Sequence, residues 1–214
     1  MIRAVFFDLD GTFADTAADL AYALNGMRAA RGLTPLPIEA TRPVTSLGAR
    51  GMLAVGFDIA PGHCDYLAMR EEFLRNYERD LCRHTRIFPG MLELLDALDA
   101  RRLHWGIVTN KAERLARLLL DLLHVGKRAA CIVGGDTTPN LKPHPDPLLA
   151  ASRLLAIAPS TCVYVGDDRR DVDAGRAAGM KTVAVSYGYL NGGDPQTWRA
   201  DAVIRTPQEL LEHL

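Results

Sequence analysis

Short apolar runs alternate along this sequence with stretches whose apolar residues recur every three or four positions. The runs are rich in β-branched and aromatic residues, as expected of strands that are buried on both faces. Six strands are predicted, over Ala4–Phe7, Leu103–Val108, Ala130–Val133, Cys162–Val165, Thr182–Val185 and Ala202–Ile204. Helices are predicted over Met91–Leu98, Leu115–Leu122, Pro147–Leu155, Val172–Ala178 and Pro207–Leu214. This alternation predicts an α/β fold with a Rossmann-like parallel sheet, in which ligands bind beyond the carboxyl ends of the strands.

The alternation stops between about residues 16 and 84. A first helix in this segment is marked by Leu20, Leu24 and Met27, with Asp15 or Thr16 placed to cap it. Further helices are predicted over Arg50–Phe57 and Asp65–Leu81, and no strand-like run lies among them. We therefore predict a helical cap domain over residues 16–84, inserted into an α/β core made of residues 1–15 and 85–214.

Composition and charge exclude several classes of function. The 214 residues carry 25 Lys and Arg against 26 Asp and Glu, so the chain has no electrostatic preference for nucleic acid. No basic run suggests an anionic membrane surface, and no apolar stretch approaches the roughly 20 residues of a membrane helix. The four scattered cysteines favour neither a disulfide framework nor a zinc site. Since no signal peptide is recognisable, we expect a cytoplasmic protein.

The first segment that can carry chemistry is Asp8-Leu9-Asp10-Gly11-Thr12, directly after the first predicted strand. Taken alone, Asp-Gly after an apolar run is more often a turn than a catalytic site. At a strand end, however, Asp8 and Asp10 can both lean over the sheet edge around one metal ion. Gly11 permits the backbone to approach an anion closely. The segment is therefore a candidate metal and phosphate site.

Three further segments can likewise be interpreted either as ordinary structural features or as parts of a phosphate or metal site. Thr109-Asn110-Lys111 follows one predicted strand, Gly166–Asp171 follows another, and Lys142 precedes a proline-rich loop that suits a fixed cation. Each has an ordinary explanation: a helix cap, a polar helix start or a solvated charge. Free N–H groups at a helix start also attract phosphate, and carboxylates after a buried strand are the hard oxygen ligands that Mg²⁺ requires.

Together, and in this order, the segments resemble the haloacid dehalogenase superfamily of phosphotransferases. Asp8–Thr12 is similar to its DxDGT motif, Thr109 to its strand-end Ser or Thr, Lys142 to its motif Lys and Gly166–Asp171 to its GDxxxD motif. A helical insertion between the first two strands is the arrangement of the family's first cap class. The resemblance runs the length of the chain.

The resemblance implies a mechanism and a set of roles. Asp8 would be the nucleophile that forms an aspartyl-phosphate, and Asp10 the general acid and base. Mg²⁺ would be held by Asp8, the backbone carbonyl of Asp10, and Asp167. Thr109 and Lys142 would hold the transferring phosphoryl group. The supporting residues would be Gly11, Asn110, Asp168 and Asp171. Asp171 would orient Lys142 or a metal-bound water, a role that Asp168 could share. The segment Gly11–Asp15 would act as the hinge of the cap.

Within the superfamily, an acid two residues after the nucleophile favours a phosphatase. Short runs around Thr45–Arg50, Val108–Lys111 and Tyr187–Tyr189 resemble the phosphoglycolate-phosphatase-like group, which includes enzymes for N-acetylmuramic acid 6-phosphate. The implied partner is a small phosphate ester, hydrolysed by a monomer or small homo-oligomer. Both favoured substrates carry a carboxylate, and we expect Arg50, with Ser46 and the helix start at Gly48, to bind it.

Two alternatives remain. A sugar-phosphate mutase of the same fold would pass the phosphoryl group to a sugar hydroxyl instead of water. A receiver-type signalling domain also places acids, Thr and Lys around Mg²⁺, but it has two adjacent acids after its first strand and no helical insertion. Hydrolysis of p-nitrophenyl phosphate would separate an enzyme from such a switch.

Overall fold

A parallel sheet forms the centre of the computed structural model of this chain, which describes residues 1–214. The strands are β1 (Ala4–Phe7), β2 (Ala14–Asp15), β3 (Arg86–Ile87), β4 (His104–Val108), β5 (Cys131–Val133), β6 (Cys162–Gly166), β7 (Lys181–Val185) and β8 (Ala202–Ile204). All except β2 and β3 join one sheet in the order β5-β4-β1-β6-β7-β8, with every neighbouring pair parallel. The predicted α/β class and all six predicted strands are confirmed.

Eight α-helices accompany the strands. They are α1 (Ala17–Ala29), α2 (Ile38–Thr41), α3 (Gly48–Phe57), α4 (Tyr66–Arg79), α5 (Met91–Ala100), α6 (Glu113–Leu122), α7 (Asp146–Leu154) and α8 (Arg169–Ala177). The helix predicted at Pro207–Leu214 is instead a 3₁₀-helix over Pro207–Glu212. A segment this short, held to the core mainly by the buried Leu210, can satisfy its backbone with tighter i→i+3 bonds. No helix combines the length and apolar character that a membrane span requires.

The alternating side chains of β1 divide the core into two layers. Val5 and Phe7 pack on one face, in a cluster with the buried residues of α5 and α6. Ala4 and Phe6 pack on the other face, in a cluster with residues of α7 and α8. Because β1 is covered on both faces, every one of its side chains is apolar, and polar residues begin only where the strand ends.

A helical layer over residues 16–84, which we call the cap segment, has an apolar cluster of its own. Leu24, Met52 and Phe73 come from α1, α3 and α4 respectively, and all three are buried. The two connections between this layer and the sheet run side by side, as the antiparallel pair β2–β3. This pair was not predicted, because two-residue strands carry no readable periodicity.

Candidate active site

Polar residues begin at the carboxyl ends of three neighbouring strands. Phe7 of β1 is paired with Ile107 of β4 on one side and with Val165 of β6 on the other. This register brings Asp8, Thr109 and Asp167, which follow the three strands, to one edge of the sheet, and all three are buried. The chain reverses its direction of strand addition at β1, and such a switch point is where open α/β sheets form their ligand crevice.

Three buried carboxylates meet at this edge. Oxygen atoms of Asp8, Asp167 and Asp171 all lie within 4.8 Å of one another. Burial, together with the neighbouring Asp8 and Asp171, raises the pKa of Asp167 to about 8. Three buried acids that share one neighbouring ammonium, that of Lys142, fit a hard divalent cation such as Mg²⁺. Asp171 belongs to this cluster, whereas the predicted ligand set used Asp8, Asp167 and the backbone carbonyl of Asp10.

Lys142 supplies the positive charge of the cluster. Its Nζ forms an ion pair with Asp8 Oδ1 at 2.9 Å, and it donates to Asp171 Oδ1 at 2.8 Å. It also donates to the Tyr164 hydroxyl (2.7 Å). Burial alone lowers the pKa of Lys142, but Asp171 and Asp8 outweigh burial and raise it. The ammonium is therefore a fixed cation directly beside Asp8.

Thr109 and Asn110 follow β4, and Asn110 binds the loop that carries Lys142. Asn110 Oδ1 accepts from Lys142 N, and Asn110 Nδ2 donates to the Lys142 carbonyl, both at 3.0 Å. Thr109 Oγ1 accepts from Lys111 N at 3.2 Å, which leaves the hydroxyl proton free to donate into the cavity. Asn110 thus fixes the backbone of Lys142, and Thr109 offers a donor beside Asp8.

Asp10 is held by Lys111, a residue to which no role was assigned from its position in the sequence. Lys111 Nζ donates to both Asp10 carboxylate oxygens, at 2.9 and 3.0 Å. Thr16 Oγ1 adds a bond of 2.6 Å to Asp10 Oδ1. The same ammonium lies 4.7 Å from the ring centroid of Tyr77 in α4, so the Asp10 partner is covered by the cap segment. The signal that could have identified Lys111 is its place two residues after Thr109, at the same strand end.

A tight backbone cradle surrounds Asp167. A Cβ atom at Gly11, whose φ is +91°, would lie 2.3 Å from Asp167 Oδ2, and one at Gly188 would lie 2.3 Å from Asp167 Cβ. Thr12 Oγ1 donates to Asp167 Oδ1 at 2.9 Å, and Tyr189 N donates to Oδ2 at 2.8 Å. The supporting position predicted for Gly11 thus has a steric reason. Thr12 was quoted only as part of its motif, and Tyr189 could not be placed from sequence because it lies beyond β7.

Asp168, which we expected to share with Asp171 the orientation of Lys142, has its carboxylate engaged by another residue. Asp168 Oδ1 accepts from Arg170 N and caps α8, and both its oxygens pair with the Arg170 guanidinium at 2.9 Å. Burial alone would raise the pKa of Asp168, but Arg170 outweighs it and lowers the pKa. This cap also explains why α8 begins at Arg169, three residues before the predicted start. Asp171 is the acid that contacts Lys142.

The start of α1 is capped differently from the prediction. Thr16 occupies the N-cap position, but its hydroxyl is directed to Asp10 and makes no cap bond. Asp15 Oδ1 accepts from Ala17 N only at 3.4 Å. The Tyr189 hydroxyl accepts from the backbone N–H groups of Thr16 (2.7 Å) and Ala17 (3.0 Å) and donates to Asp15 at 2.9 Å. A distant aromatic residue therefore ties the start of the cap segment to the core.

The cap segment closes the cavity above Asp8. Ser46 Oγ donates to Asp167 Oδ2 at 3.3 Å, and the Ser46 carbonyl accepts from Arg170. Gly48, with a φ of +58°, begins α3, and exposed Arg50 follows in its first turn. All three predicted cap residues line a cavity of about 290 Å³ together with Asp8 and Asp10. The cavity is lined by the Asp8 and Asp10 carboxylates and by the fixed cations Lys111 and Lys142, so it can receive a phosphate ester.

Comparisons with known proteins agree with this geometry. The sequence model of the haloacid dehalogenase-like hydrolase family matches residues 5–185. The chain is 45% identical to a phosphoglycolate phosphatase of Xanthomonas campestris pv. campestris (strain 8004), over 98% of this chain and 95% of the relative. It is 42% identical to an N-acetylmuramic acid 6-phosphate phosphatase of Pseudomonas putida, over 98% of this chain and 94% of the relative.

A solved structure shows the same fold at lower identity. The crystal structure of a predicted phosphoglycolate phosphatase from Haemophilus somnus 129PT superposes with a TM-score of 0.89 at 24% identity. The match covers 99% of this chain and 97% of the other. At this identity the likeness concerns the arrangement of sheet and helices alone.

Proposed function

This chain belongs to the haloacid dehalogenase-like hydrolase family and is a phosphoric monoester hydrolase, and we propose that it cleaves small carboxylate-bearing phosphate esters through an aspartyl-phosphate on Asp8. One observation supports this proposal more than any other. Asp8 is a buried carboxylate at the end of β1, and the Lys142 ammonium lies 2.9 Å from its Oδ1. A carboxylate held beside a fixed cation, which can also bind the oxygens of a phosphoryl group, is suited to attack on phosphorus.

The proposed reaction divides one displacement into two. A carboxylate oxygen of Asp8 forms a bond to phosphorus while the bond from phosphorus to the ester oxygen breaks. Asp10 gives its proton to the departing alkoxide and later takes one from the attacking water. Lys111 and Thr16 hold the Asp10 carboxylate in place. Lys142 and the Thr109 hydroxyl bind the oxygens of the transferring group, and Asp171 positions Lys142.

We further propose that the cluster binds Mg²⁺, through Asp8, Asp167 and the backbone carbonyl of Asp10. The ion, when bound, supplies positive charge to the phosphoryl oxygens. Asp167 is directed to this task by Thr12 and Tyr189, which bind its two oxygens from the outer side. We assign Asp171 to the lysine and not to the metal, because its Oδ1 already accepts from Lys142 Nζ.

Residues 16–84 serve, in this proposal, as a cap domain on a core of residues 1–15 and 85–214. The residues that would read the substrate are Ser46, Gly48 and Arg50, since all three line the cavity. A guanidinium can grip a carboxylate with two hydrogen bonds, which suits 2-phosphoglycolate or N-acetylmuramic acid 6-phosphate. We place the activity in the cytoplasm, because the four cysteines are free thiols and a reducing compartment preserves them.

The test is Asp8→Asn, with Asp58→Asn as the matched control. Asp58 is exposed at the end of α3 in a left-handed conformation that Asn tolerates well. We expect Asp8→Asn to lose essentially all phosphate release from 2-phosphoglycolate and p-nitrophenyl phosphate, because an amide is far less nucleophilic than a carboxylate. The control should keep its activity. Mass analysis of acid-quenched wild type should find a phosphoryl group on the peptide that contains Asp8. Retention of a tenth or more of wild-type kcat by Asp8→Asn would contradict the proposal.

A further inference from the structure

Two arginines of the cap segment have no partner in the protein. The other cap arginines are engaged by a carboxylate or a carbonyl oxygen: Arg28 by Thr34 and Gly56, Arg31 by Glu72, Arg42 by Asp15, Arg75 by Glu71, and Arg79 and Arg83 by Asp80. Arg50 and Arg70 contact neither an acceptor nor an aromatic face, and both line the cavity above Asp8. The segment contains no lysine, so these two guanidiniums are its only unpaired cations.

Arg70 belongs to a stripe of α4 that faces the cavity. Tyr66, Arg70, Phe73 and Tyr77 are spaced four, three and four residues apart, and all line it. Tyr77 marks the catalytic end, because its ring lies against Lys111, which binds Asp10. Arg70 lies two helical turns before Tyr77, which is about 10 Å along the axis. Helical side chains lean toward the helix N-terminus, and for Arg70 this is away from Tyr77.

Arg50 lies nearer to the catalytic end. It stands in the first turn of α3, directly after the turn in which Ser46 Oγ contacts Asp167 and the Ser46 carbonyl accepts from Arg170. The two free guanidiniums therefore line one cavity at different depths. Arg50 follows the turn that contacts Asp167, and Arg70 lies toward the far end of the α4 stripe, two turns from Tyr77.

Because the two arginines lie at different depths, only a substrate whose carboxylate is far from its phosphate can reach Arg70. In 2-phosphoglycolate the carboxylate lies within about 4 Å of the ester oxygen, too close to reach the far end of the stripe. An acid group attached across a hexose ring from a 6-phosphate is separated from that oxygen by up to about 8 Å, judged from ordinary bond lengths. One turn before Arg70, the half-buried Tyr66 offers an aromatic surface of the kind that packs against a sugar ring.

On the basis of the proposed phosphatase function, we propose that Arg70 binds a substrate carboxylate remote from the phosphate, which makes a carboxylated hexose 6-phosphate the preferred substrate class. The cavity of about 290 Å³ accommodates such a body, whereas glycolate would leave most of it unfilled. Arg70 is thus a specificity-determining residue. Arg50 contributes to binding whether the substrate carboxylate is near the phosphate or remote from it.

The experiment compares two sugars that differ only in the acid. N-acetylmuramic acid 6-phosphate carries a lactyl carboxylate, and N-acetylglucosamine 6-phosphate lacks it. The quantity measured is the ratio of kcat/KM for the first to kcat/KM for the second. We expect this ratio to be at least about tenfold in the wild type and to fall at least about tenfold in Arg70→Ala, from loss of a charge-assisted hydrogen bond. Arg70→Lys, which keeps the positive charge but cannot bind a carboxylate with two parallel hydrogen bonds, should give an intermediate ratio.

Arg75→Ala is the matched control, because Arg75 lies in the same helix, pairs with Glu71 and does not line the cavity. Its ratio should equal that of the wild type. A wild type without preference for the carboxylated sugar, or an Arg70→Ala ratio equal to that of wild type, would overturn the inference. An enzyme that still released phosphate from 2-phosphoglycolate would in that case keep its proposed function. Absence of phosphate release from every ester would reject the proposed function itself.

Discussion

Replacing Asp167 with Asn should stabilise the metal-free protein while removing its activity. Asp167 is fully buried beside two other carboxylates, which raises its pKa from an ordinary value near 3.8 to about 8. Each tenfold change in proton affinity corresponds to about 1.4 kcal/mol. At pH 7 the folded protein therefore loses roughly 4 kcal/mol of stability by retaining this acid, and above pH 8 it loses roughly 6 kcal/mol.

The amide removes that cost without disturbing its neighbours. In the Asp167→Asn variant the side-chain oxygen would accept from Tyr189 N, and the side-chain nitrogen would donate to the Thr12 hydroxyl, which can act as an acceptor. After allowing about 1 kcal/mol for the weaker hydrogen bonds, we expect a net gain of about 3 kcal/mol at pH 7. For a chain of this size the gain corresponds to a rise in Tm of roughly 5–10 °C.

The pH dependence provides the sharper signature. Because the folded-state pKa of Asp167 is raised, the folded protein binds the proton more tightly than the unfolded chain does. Stability is therefore highest below the unfolded pKa near 4 and falls as pH rises through about 8. The metal-free wild type should lose stability between about pH 6 and about pH 8.5 more steeply than Asp167→Asn does.

The assay is thermal unfolding at several pH values, with and without saturating Mg²⁺. The ion should stabilise the wild type and have little effect on Asp167→Asn, which lacks a ligand charge. Asp168→Asn is the control, since Asp168 caps α8 and pairs with Arg170, and it should lower Tm instead. If Asp167→Asn lowers the Tm of the metal-free protein at about pH 8, the argument from carboxylate repulsion is wrong.

Three further predictions concern catalysis. Asp10→Asn should lose more activity on an alkyl phosphate than on p-nitrophenyl phosphate, whose leaving group needs less protonation, and equal losses in kcat/KM would count against an acid role for Asp10. Activity should require Mg²⁺ and be inhibited by Ca²⁺, which prefers more ligands at longer distances, so full turnover in excess chelator with no metal bound would exclude a metal role. Arg50→Ala should lose about tenfold in kcat/KM on 2-phosphoglycolate relative to p-nitrophenyl phosphate, whereas an equal loss on both would assign Arg50 to the structure of the cap segment.

The sequence predicted what depends on local periodicity and on strand ends. The six sheet strands could be predicted because strands buried on both faces have continuous apolar runs. Asp8, Thr109 and Asp167 could be singled out because each follows such a run. In a parallel sheet, consecutive strand ends meet at one edge. The chain order therefore predicts that these three residues lie at one edge, whereas the strand order β4-β1-β6, which makes them neighbours, is a finding of the structure.

Contacts between distant segments could not be predicted in this way. Asp168 and Asp171 stand three residues apart at the start of one short helix, and nothing in the sequence decides which of them contacts Lys142. Asp171 is the acid that contacts Lys142, because Asp168 already forms an ion pair with Arg170. Likewise, Thr16 is a good capping residue by type, but Asp10 lies close enough to bind its hydroxyl. Local preference was overridden by a tertiary partner in both cases.

The site keeps an imbalance of charge that a stable core would avoid. Asp8, Asp167 and Asp171 face a single ammonium, that of Lys142, so the ionised cluster carries two excess negative charges. The raised pKa values of Asp167 (about 8) and Asp171 (about 6) are the consequence, since burial and mutual repulsion favour protonation. Asp10 lies outside this imbalance because Lys111 pairs with it. A dianionic phosphate would be repelled by the bare cluster, whereas a bound divalent cation would neutralise it. The raised pKa values of Asp167 and Asp171 thus come from the crowding of buried carboxylates, and the divalent cation that we propose for this site would relieve that crowding.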